Sequence, residues 1–300
     1  MEKEIIQLSS VDSYCKTCGF ETLNPLVAVV DMAQAKNNYP DCRINYGLYA
    51  LWLKNGNGCR IKYGRRDYDY QEGTVVSFAP GQIVEVETTS QNTINRSIGL
   101  LFHPDLIYGT ALGRKISRYT FFSYEESEAL HLSAREQEQY MSIIGNIRAE
   151  LEHAIDKHSK ELLCDHIGLL LDICLRFYDR QFITREKVNG DILAGFEKEL
   201  DDYYRKGHPL EKGFPSVSYF ADKLHLSTGY FGDLVKKETG VTAQSYIKNK
   251  IIDYSKHLLL ESDDSVSGIA YQLGFEYPQH FTRLFKNSTG VSPAEYRKSN

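Results

Sequence analysis

A helix-turn-helix pattern occurs twice in this chain, at residues 217–246 and 266–298, with an offset of 49 residues before the turn and 50 after it. Apolar residues at i, i+3, i+4 and i+7 predict one buried face for each first helix. The matched apolar positions are Val217, Phe220, Ala221, Leu224, Phe231, Leu234 and Val235 in the first copy, and Val266, Ile269, Ala270, Leu273, Phe281, Leu284 and Phe285 in the second. Since basic and glycine positions match as well, the chain is predicted to contain two copies of one supersecondary unit.

The turn chemistry of both copies supports this interpretation. Residues 273–275 form the predicted bend, Pro278 suits the first turn of the following helix, and Gly290 suits its C-cap. Ser216 and Ser265 are the predicted N-caps of the two first helices. Two helices joined by a short turn, with a polar outward face on the second, have the geometry that fits a DNA major groove.

A single helix of about 18 residues is predicted between the copies, over Gln244–Glu261, and it would span roughly 27 Å. Successive major grooves on one face of B-DNA lie about 34 Å apart, so two insertions one turn apart are compatible if the duplex bends or the helices tilt. Helical bundles with turn-helix pairs also exist in proteins that bind no DNA, and that alternative stays open for either copy taken alone.

Length and charge narrow the class of protein. The 300 residues suffice for two domains, and with neither an apolar run near 18 residues nor a secretory signal we expect a cytoplasmic protein without membrane association. A net charge of −5 argues weakly against nucleic acid, but the residues from Gly195 onward are neutral, with 14 Lys+Arg and 14 Asp+Glu. The candidates for a basic face there are Lys236, Lys237, Lys248, Lys250, Arg283, Lys286, Arg297 and Lys298.

The spacing of the six cysteines predicts reduced thiols and not a zinc site. Cys15 and Cys18 make one CxxC, but no second CxxC and no His pair follows at zinc spacing. No sequence motif predicts a cofactor or a metal ion.

The N-terminal part alternates short β-prone runs with Gly and Pro turns, which is typical of an antiparallel barrel or sandwich. The runs are Leu26–Met32, Leu48–Leu53, Cys59–Tyr63, Thr74–Phe78, Ile83–Val86 and Ser97–Phe102. Residues 1–23 are interpreted as an irregular or loosely docked lead-in. Five tyrosines are candidates to line a ligand pocket, with ordinary strand packing as the equal alternative: Tyr46, Tyr49, Tyr63, Tyr68 and Tyr70.

Two long helices are predicted after this region, over 133–153 and 159–177. The apolar stripe of the second is broad enough to serve both the β-domain and a second copy of the chain, so a homodimer through this helix pair is one interpretation and intramolecular packing the other. The polar stretch 178–189 predicts a link near 182–190, which separates domains 1–182 and 190–300. Residues 205–214 are interpreted as a loop.

The stretches IAYQLGF, FTRLFK and GVSPAEYR resemble the AraC/XylS family of bacterial transcription regulators. The resemblance covers about residues 190–298. More weakly, the EGTVVSFAPGQ stretch of the first domain is similar to the family's cupin-like sensor domain. The resemblance implies a multidomain α+β protein: a cupin-like antiparallel β-barrel that binds an effector such as a sugar or metabolite, then an all-α double helix-turn-helix domain.

The resemblance also implies how the chain meets its partners. Such regulators are usually dimeric, bind double-stranded DNA with recognition helices in successive major grooves, and have RNA polymerase as a candidate partner. In the second copy, Gln279, His280 and Arg283 would face bases while Thr282 and Lys286 would lie nearer phosphates. The corresponding outward positions of the first copy are Thr228, Gly229, Gly232 and Asp233, with Lys236 and Lys237 toward phosphates.

This sequence departs from the family pattern in the first copy, where the family often has a long polar residue at the position of Asp233 and side chains at Gly229 and Gly232. Asp233 could accept from cytosine N4 but would be repelled by phosphate. Tyr230 is therefore added as a candidate base contact. We expect the second copy to carry most of the sequence specificity.

The competing class is an enzyme, or a sugar-binding barrel fused to a helical module. Metal-dependent cupins need a closely spaced His pair, but the chain has no HxH, and His103 is the only histidine before residue 131. GxSxG, P-loop and HExxH motifs are absent from the sequence. We therefore expect no enzyme, and a metal-free isomerase remains the alternative for the first domain.

Overall fold

The computed structural model describes residues 5–37, 42–54, 60–62, 73–87, 96–124, 128–184 and 186–299. The chain forms two compact units, an N-terminal unit (Met1–Thr184) and a C-terminal unit (Arg185–Asn300). Each unit is described by itself below.

The N-terminal unit combines nine strands with five α-helices among its described residues. The strands are β1 (Ile5–Leu8), β2 (Val27–Asp31), β3 (Cys42–Tyr46), β4 (Tyr49–Lys54), β5 (Arg60–Lys62), β6 (Thr74–Phe78), β7 (Ile83–Glu87), β8 (Ile98–Phe102) and β9 (Leu130–His131). The helices are α1 (Val11–Cys18), α2 (Pro104–Ile107), α3 (Ala111–Lys115), α4 (Ala134–Glu152) and α5 (Ser159–Thr184).

The strands form two sheets, with the orders β1-β3-β7-β5 and β2-β8-β4-β6-β9. All the pairings are antiparallel except β1 with β3, which is parallel. One apolar cluster contains side chains from both sheets, among them Ile44 and Val84 from the first and Trp52 and Val76 from the second. The described strands therefore make a two-layered sandwich. The predicted closed barrel is not found among them, since no described strand joins the two sheets by hydrogen bonds.

Alternation along β4 explains why its whole length is apolar. Ala50 and Trp52 belong to the cluster between the sheets, while Leu51 and Leu53 are buried on the other face of the same sheet. Trp52 lies opposite Gly99 of β8, where a Cβ atom would stand 2.4 Å from the indole ring. Glycine is therefore required at position 99 for the large ring to lie flat on the sheet.

The predicted irregular or loosely docked lead-in at 1–23 is wrong, because a strand and a helix with buried side chains make up most of its described part. Ile5–Leu8 pairs in parallel with β3, and α1 begins at a capping box in which Ser10 and Ser13 bond reciprocally. The parallel pairing depends on residues some forty positions away, which local patterns do not reveal. The β3 and β9 strands were also missed, since both are short and partly polar.

The two long helices lie close to their predicted positions. Ser133 caps α4 in a capping box with Glu136, and α5 continues seven residues beyond its predicted end, to Thr184. The polar stretch after Phe177 contains neither Gly nor Pro before position 190, and its Phe182 is buried, so the helix does not end there. No helix in the described part of the chain combines the length and apolar character needed to cross a membrane.

The C-terminal unit is all-α. Its described helices are α6 (Glu186–Arg205), α7 (His208–Lys212), α8 (Val217–Lys223), α9 (Thr228–Thr239), α10 (Ala243–Glu261), α11 (Val266–Gln272), α12 (Pro278–Thr289) and α13 (Pro293–Ser299). The repeat predicted from the sequence is confirmed, with helices of 7 and 12 residues in each copy. We name α8–α9 the first motif and α11–α12 the second motif.

Both motifs share one apolar core. Phe220 and Phe231 of the first motif lie in the same cluster as Ile269, Phe281 and Phe285 of the second, all fully buried. Helix α6 closes this core from the first motif's side, where the ring of Phe196 packs edge-on against Phe220 and Phe231 at centroid distances of 5.1 and 5.0 Å. The two motifs are therefore parts of one packing unit.

The stretch 205–214, predicted as a loop, contains the short helix α7. Its exit is fastened to α6 by the Tyr203 hydroxyl, which donates to the carbonyl oxygen of Gly213 at 3.0 Å. The next residue, Phe214, packs edge-on against Phe275 in the turn of the second motif. The segment thus connects α6 to the second motif.

Candidate nucleic-acid interface

Side-chain caps fix where the first helix of each motif begins. Ser216 accepts the backbone N–H of Tyr219 at 3.1 Å, and Ser265 accepts that of Gly268 at 3.0 Å. Both predicted N-caps are confirmed. Gly290 adopts φ +85° at the C-cap of α12, as predicted for a left-handed position that favours glycine.

Helix α12 separates its residues cleanly into two faces. Phe281 and Phe285 are fully buried, whereas Gln279, His280 and Arg283 are exposed. Lys286, one turn after Thr282, is exposed as well. The residues expected to face DNA in this copy thus lie together on the side of the helix that leaves the core.

Thr282 is less suited to its expected role than these neighbours. Its hydroxyl donates to the carbonyl oxygen of Pro278 at 3.1 Å, and the residue is half-buried. A phosphate oxygen needs a donor, and the only hydroxyl proton of Thr282 is already used within the helix. Lys286 is the better phosphate contact on α12.

Helix α9 presents a much barer surface. Thr228 is exposed and Asp233 is half-buried, while Gly232 has no heavy atom within 4 Å of the place its Cβ would occupy. Tyr230, expected as a compensating base contact, is only 4% exposed, so this expectation is wrong. Tyr230 precedes the buried Leu234 by four residues, so the two side chains lie on one buried side of the helix.

The basic candidates do not all lie on one surface. Lys236 and Lys237 are exposed at the end of α9. Lys250 instead lies 3.6 Å from the carboxylate of Glu197 on α6.

Arg297, also proposed for the basic face, has a structural position. Its guanidinium donates to the carbonyl oxygens of Leu259 at 2.7 Å, Ser262 at 3.2 Å and Asp264 at 2.6 Å. These carbonyls lie at the end of α10 and in the link that follows, where helical backbone leaves acceptors without partners. Arg297 therefore fastens α13 to that junction, and its assignment to a DNA-facing surface is not supported.

The linking helix matches its predicted length. With 19 residues, Ala243–Glu261 spans about 28 Å, and one rigid element thus separates the two motifs. Its buried face includes Ile247 and Ile251, which lie in the shared core.

One exposed residue beside this surface was not identified from the sequence. Tyr277, the N-cap of α12, is 47% exposed and its ring packs against that of His280. The signal that could have found it is the aromatic residue at a position where the first motif has Ser227.

The structure does not bring the proposed effector tyrosines together. Tyr46 is 4% exposed in the core between the sheets, where its ring stacks on Phe78. Tyr49 pairs with Phe102 on the outer face of the five-stranded sheet and stacks on that ring. Tyr63, Tyr68 and Tyr70 lie outside the described residues. The prediction that Tyr46 and Tyr49 line one pocket is therefore wrong.

The described residues contain a different pocket beside β6. Its empty space of about 210 Å³ includes open solvent, and the enclosed part of about 10 Å³ has room for roughly one water molecule. Its lining is largely aromatic. Its lining residues are Val76, Ser77, Phe78, Phe121, Tyr124, Ala129 and Tyr178.

The cysteine pair has the character of core residues. Cys15 and Cys18 are fully buried in α1, and burial raises the pKa of the Cys15 thiol above its usual value. A raised pKa keeps a thiol protonated and unreactive. Across the described ranges, no three His, Cys, Asp or Glu side chains converge in a way that could hold a metal ion.

Comparison with known proteins extends these observations. Residues 220–299 match the family described as a helix-turn-helix domain. The chain is 40% identical to the HTH-type transcriptional activator RhaS of Escherichia fergusonii over 78 residues. This matched segment covers 26% of this chain and 28% of that protein. Over 150 residues it is 38% identical to the activator RhaS of Citrobacter koseri, which covers 50% of this chain and 51% of that protein.

A solved structure with a similar chain is the C-terminal domain of the two-component response regulator YesN from Fusobacterium nucleatum. The two are 29% identical over 34% of this chain and 96% of that chain, with a TM-score of 0.30. The present chain spans about half or less of the length of the two RhaS relatives.

The paired motifs in one core, with the match over 220–299, define a double helix-turn-helix domain. The domain is of the type found in the AraC/XylS family of transcription regulators.

Proposed function

We propose that this protein is a sequence-specific transcription regulator that binds double-stranded DNA by inserting α9 and α12 into successive major grooves. The observation that carries the proposal is the duplication itself. Two helix pairs of equal length share one core, and a rigid helix of about 28 Å separates them. A tilt of the recognition helices or a bend in the duplex accommodates the remaining distance to 34 Å, approximately one turn of B-DNA.

The two recognition helices contribute unequally in this proposal. Gln279, His280 and Arg283 on α12 read base edges, since they are exposed and carry long donor or acceptor groups. On α9, only Thr228 and Asp233 remain as polar candidates for base contacts, next to the bare Gly232. The first motif therefore anchors the duplex more than it reads it.

Phosphate contacts come from lysines at the helix ends. Lys236 and Lys237 on α9 and Lys286 on α12 are exposed and lie toward the C-terminal ends of the recognition helices. An ammonium group there neutralises phosphate without reading sequence.

Selection of binding sites from a random DNA library with the purified full chain tests this function. The expected result is a bipartite site with half-sites about 10 base pairs apart, and stronger base preference in one half than in the other. If the chain retains no DNA above the level of a non-binding protein at 50 mM salt, the proposal is wrong.

The N-terminal unit is proposed to bind a small-molecule effector such as a sugar or metabolite. Within the described residues the candidate site is the pocket beside β6, whose lining combines aromatic rings with the Ser77 hydroxyl. Its enclosed space holds about one water molecule, so the lining side chains must move apart to admit a sugar. A ligand library screened by thermal shift on the full chain, with Phe121→Ala as the pocket variant, tests it. A ligand whose shift survives this substitution binds elsewhere.

The same unit is proposed to form a homodimer through α4 and α5. Support comes from Leu162 and Leu169 on α5, which are 44% and 50% exposed and seven residues apart, so they lie on one outward face. Light scattering of the full chain and of a Leu162→Glu, Leu169→Glu variant measures the mass. A wild-type monomer at micromolar concentration would contradict the dimer. RNA polymerase is a further candidate partner once DNA is bound.

A further inference from the structure

Tyr277 stands at the end of α12 that leads toward DNA in the proposed complex. Its side chain makes no capping hydrogen bond and is 47% exposed. Its ring packs edge-on against the ring of His280, with 5.5 Å between centroids and 63° between planes. The two exposed rings therefore form one aromatic surface at the N-terminus of the recognition helix.

The first motif provides an internal comparison. Ser227 occupies the position that corresponds to Tyr277, and its hydroxyl accepts the N–H of Tyr230 at 3.1 Å. Tyr230 corresponds to His280 and is buried. In the second motif, a capping serine is thus replaced by an exposed tyrosine, and a buried tyrosine by an exposed histidine.

These two exchanges oppose local stability. Serine is among the best N-cap residues and tyrosine is not, so α12 begins without a stabilising interaction that α9 has. Departures from local structural preference concentrate at functional positions. The exchange is therefore best explained by a role for the tyrosine ring outside the folded domain.

We propose that Tyr277 is a specificity-determining residue whose ring contacts the C5-methyl group of a thymine in the major groove. This inference rests on the proposed function. Residues near the N-terminus of a recognition helix contact base edges, and Tyr277, His280 and Arg283 follow one another at three-residue intervals along one side of α12. The thymine methyl is the apolar group that the major groove offers to such a ring.

Contact with His280 strengthens the argument. A ring packed against its neighbour keeps fewer rotamers than an isolated exposed side chain, so less conformational entropy is lost on binding. The tyrosine hydroxyl could alternatively donate to a phosphate oxygen. That contact would depend on the hydroxyl group and not on the ring, so the two chemistries can be separated.

The test compares three full-length proteins, wild type, Tyr277→Phe and Tyr277→Ser, first by site selection and then by affinity. The Ser variant reproduces the first motif's cap, so it is expected to melt a few degrees higher than wild type while losing a thymine preference at one position. Replacing that thymine by uracil removes only the methyl group. It should weaken wild-type and Tyr277→Phe binding by about fourfold, the effect of one buried methyl, and leave Tyr277→Ser unchanged.

Three results would overturn the inference. If the Ser variant selects the same bases as wild type, Tyr277 reads nothing. If uracil substitution leaves wild-type affinity unchanged, no methyl contact exists. If Tyr277→Phe loses as much affinity as Tyr277→Ser, the hydroxyl carries the contact and the partner is phosphate. Site selection that still depends on Arg283 separates these failures from failure of the proposed function, in which no sequence is selected at all.

Discussion

Gly274 in the turn of the second motif lies so close to Gly213 that a Cβ atom on Gly274 would stand 2.5 Å from the Gly213 carbonyl carbon. The same Cβ atom would stand 2.8 Å from the backbone nitrogen of Phe214. Gly274 also adopts φ +86°, where side chains are disfavoured. Both constraints act on one residue, which joins the second motif to the segment held by Tyr203 of α6.

Replacing Gly274 by alanine should therefore be severe. We expect Gly274→Ala to lower the free energy of unfolding by about 2–4 kcal/mol. The backbone near Gly213 must move to make room for the added methyl group, and the alanine must adopt a strained positive φ. Gly290→Ala is the matched control, since its φ is +85° but nothing lies within 4 Å of the added atom. It should cost only about 1 kcal/mol. Equal losses by urea denaturation would show that the contact with Gly213 is unimportant.

The corresponding turn of the first motif invites the opposite substitution. His225, at the position that matches Gly274, has φ +58° and is the one non-glycine residue with positive φ among those described. His225→Gly should raise the free energy of unfolding by about 0.5–1 kcal/mol, because relief of left-handed strain exceeds the added entropy of the unfolded chain. His225→Ala keeps the strain and should give no gain. Thermal unfolding that ranks the alanine variant above the glycine variant would contradict this explanation.

Alanine substitutions of Arg283 and Lys286 should affect two different properties of DNA binding, the base preference and the salt dependence. Arg283→Ala is expected to cost about 1–3 kcal/mol of binding and to relax preference at particular bases. Lys286→Ala should weaken binding to all sequences alike and lower the slope of log K against log salt by about one unit, as should Lys236→Ala. Fluorescence anisotropy over a salt series measures both effects. An Arg283→Ala protein with unchanged base preference would refute the role given to that residue.

Asp233 places a carboxylate on the recognition helix of the first motif. Asp233→Ala should tighten binding to any duplex by about twofold to fivefold at low salt, because repulsion from phosphate is removed. Asp222→Ala, which removes an exposed carboxylate from α8, is the charge-matched control. If the Asp233 variant instead loses preference at a cytosine, the residue reads sequence.

Arg297 should behave as a structural residue despite its charge. Arg297→Ala is expected to lower the free energy of unfolding by about 2–4 kcal/mol, since three backbone acceptors lose their donor. The salt slope of DNA binding should not change. Lys298→Ala, its exposed neighbour, should leave stability unaltered. A phosphate-contacting Arg297 would give the reverse pattern, with a lower slope and full stability.

The helical repeat could be predicted because its determinants are local. Caps such as Ser216 and Ser265, the C-cap at Gly290 and the apolar spacing act within a few residues, and each of these predictions is confirmed. The prediction for Tyr230 was wrong because its exposure was inferred from its position in the motif. The helical period groups Tyr230 with the buried Leu234 and would have predicted its burial.

The N-terminal unit was harder because its strands depend on distant partners. The runs that become β2, β4, β5, β6, β7 and β8 were found, but β1 exists through its pairing with β3 and carries no pattern of its own. The tyrosine pocket failed for a related reason. Tyr46 and Tyr49 are three residues apart in sequence, yet they belong to different strands and contribute to different layers, one between the sheets and one outside them.

The shared core of the two motifs has a consequence for the promoters this protein would recognise. Because α8, α9, α11 and α12 pack in one shared core, the first and second motifs cannot rotate independently about the duplex. Insertion of about five base pairs between the half-sites would rotate the second half-site to the far side of the DNA, where α12 cannot follow. Operators under selection could therefore tolerate base changes in the weakly read half, but hardly any insertion or deletion between the halves.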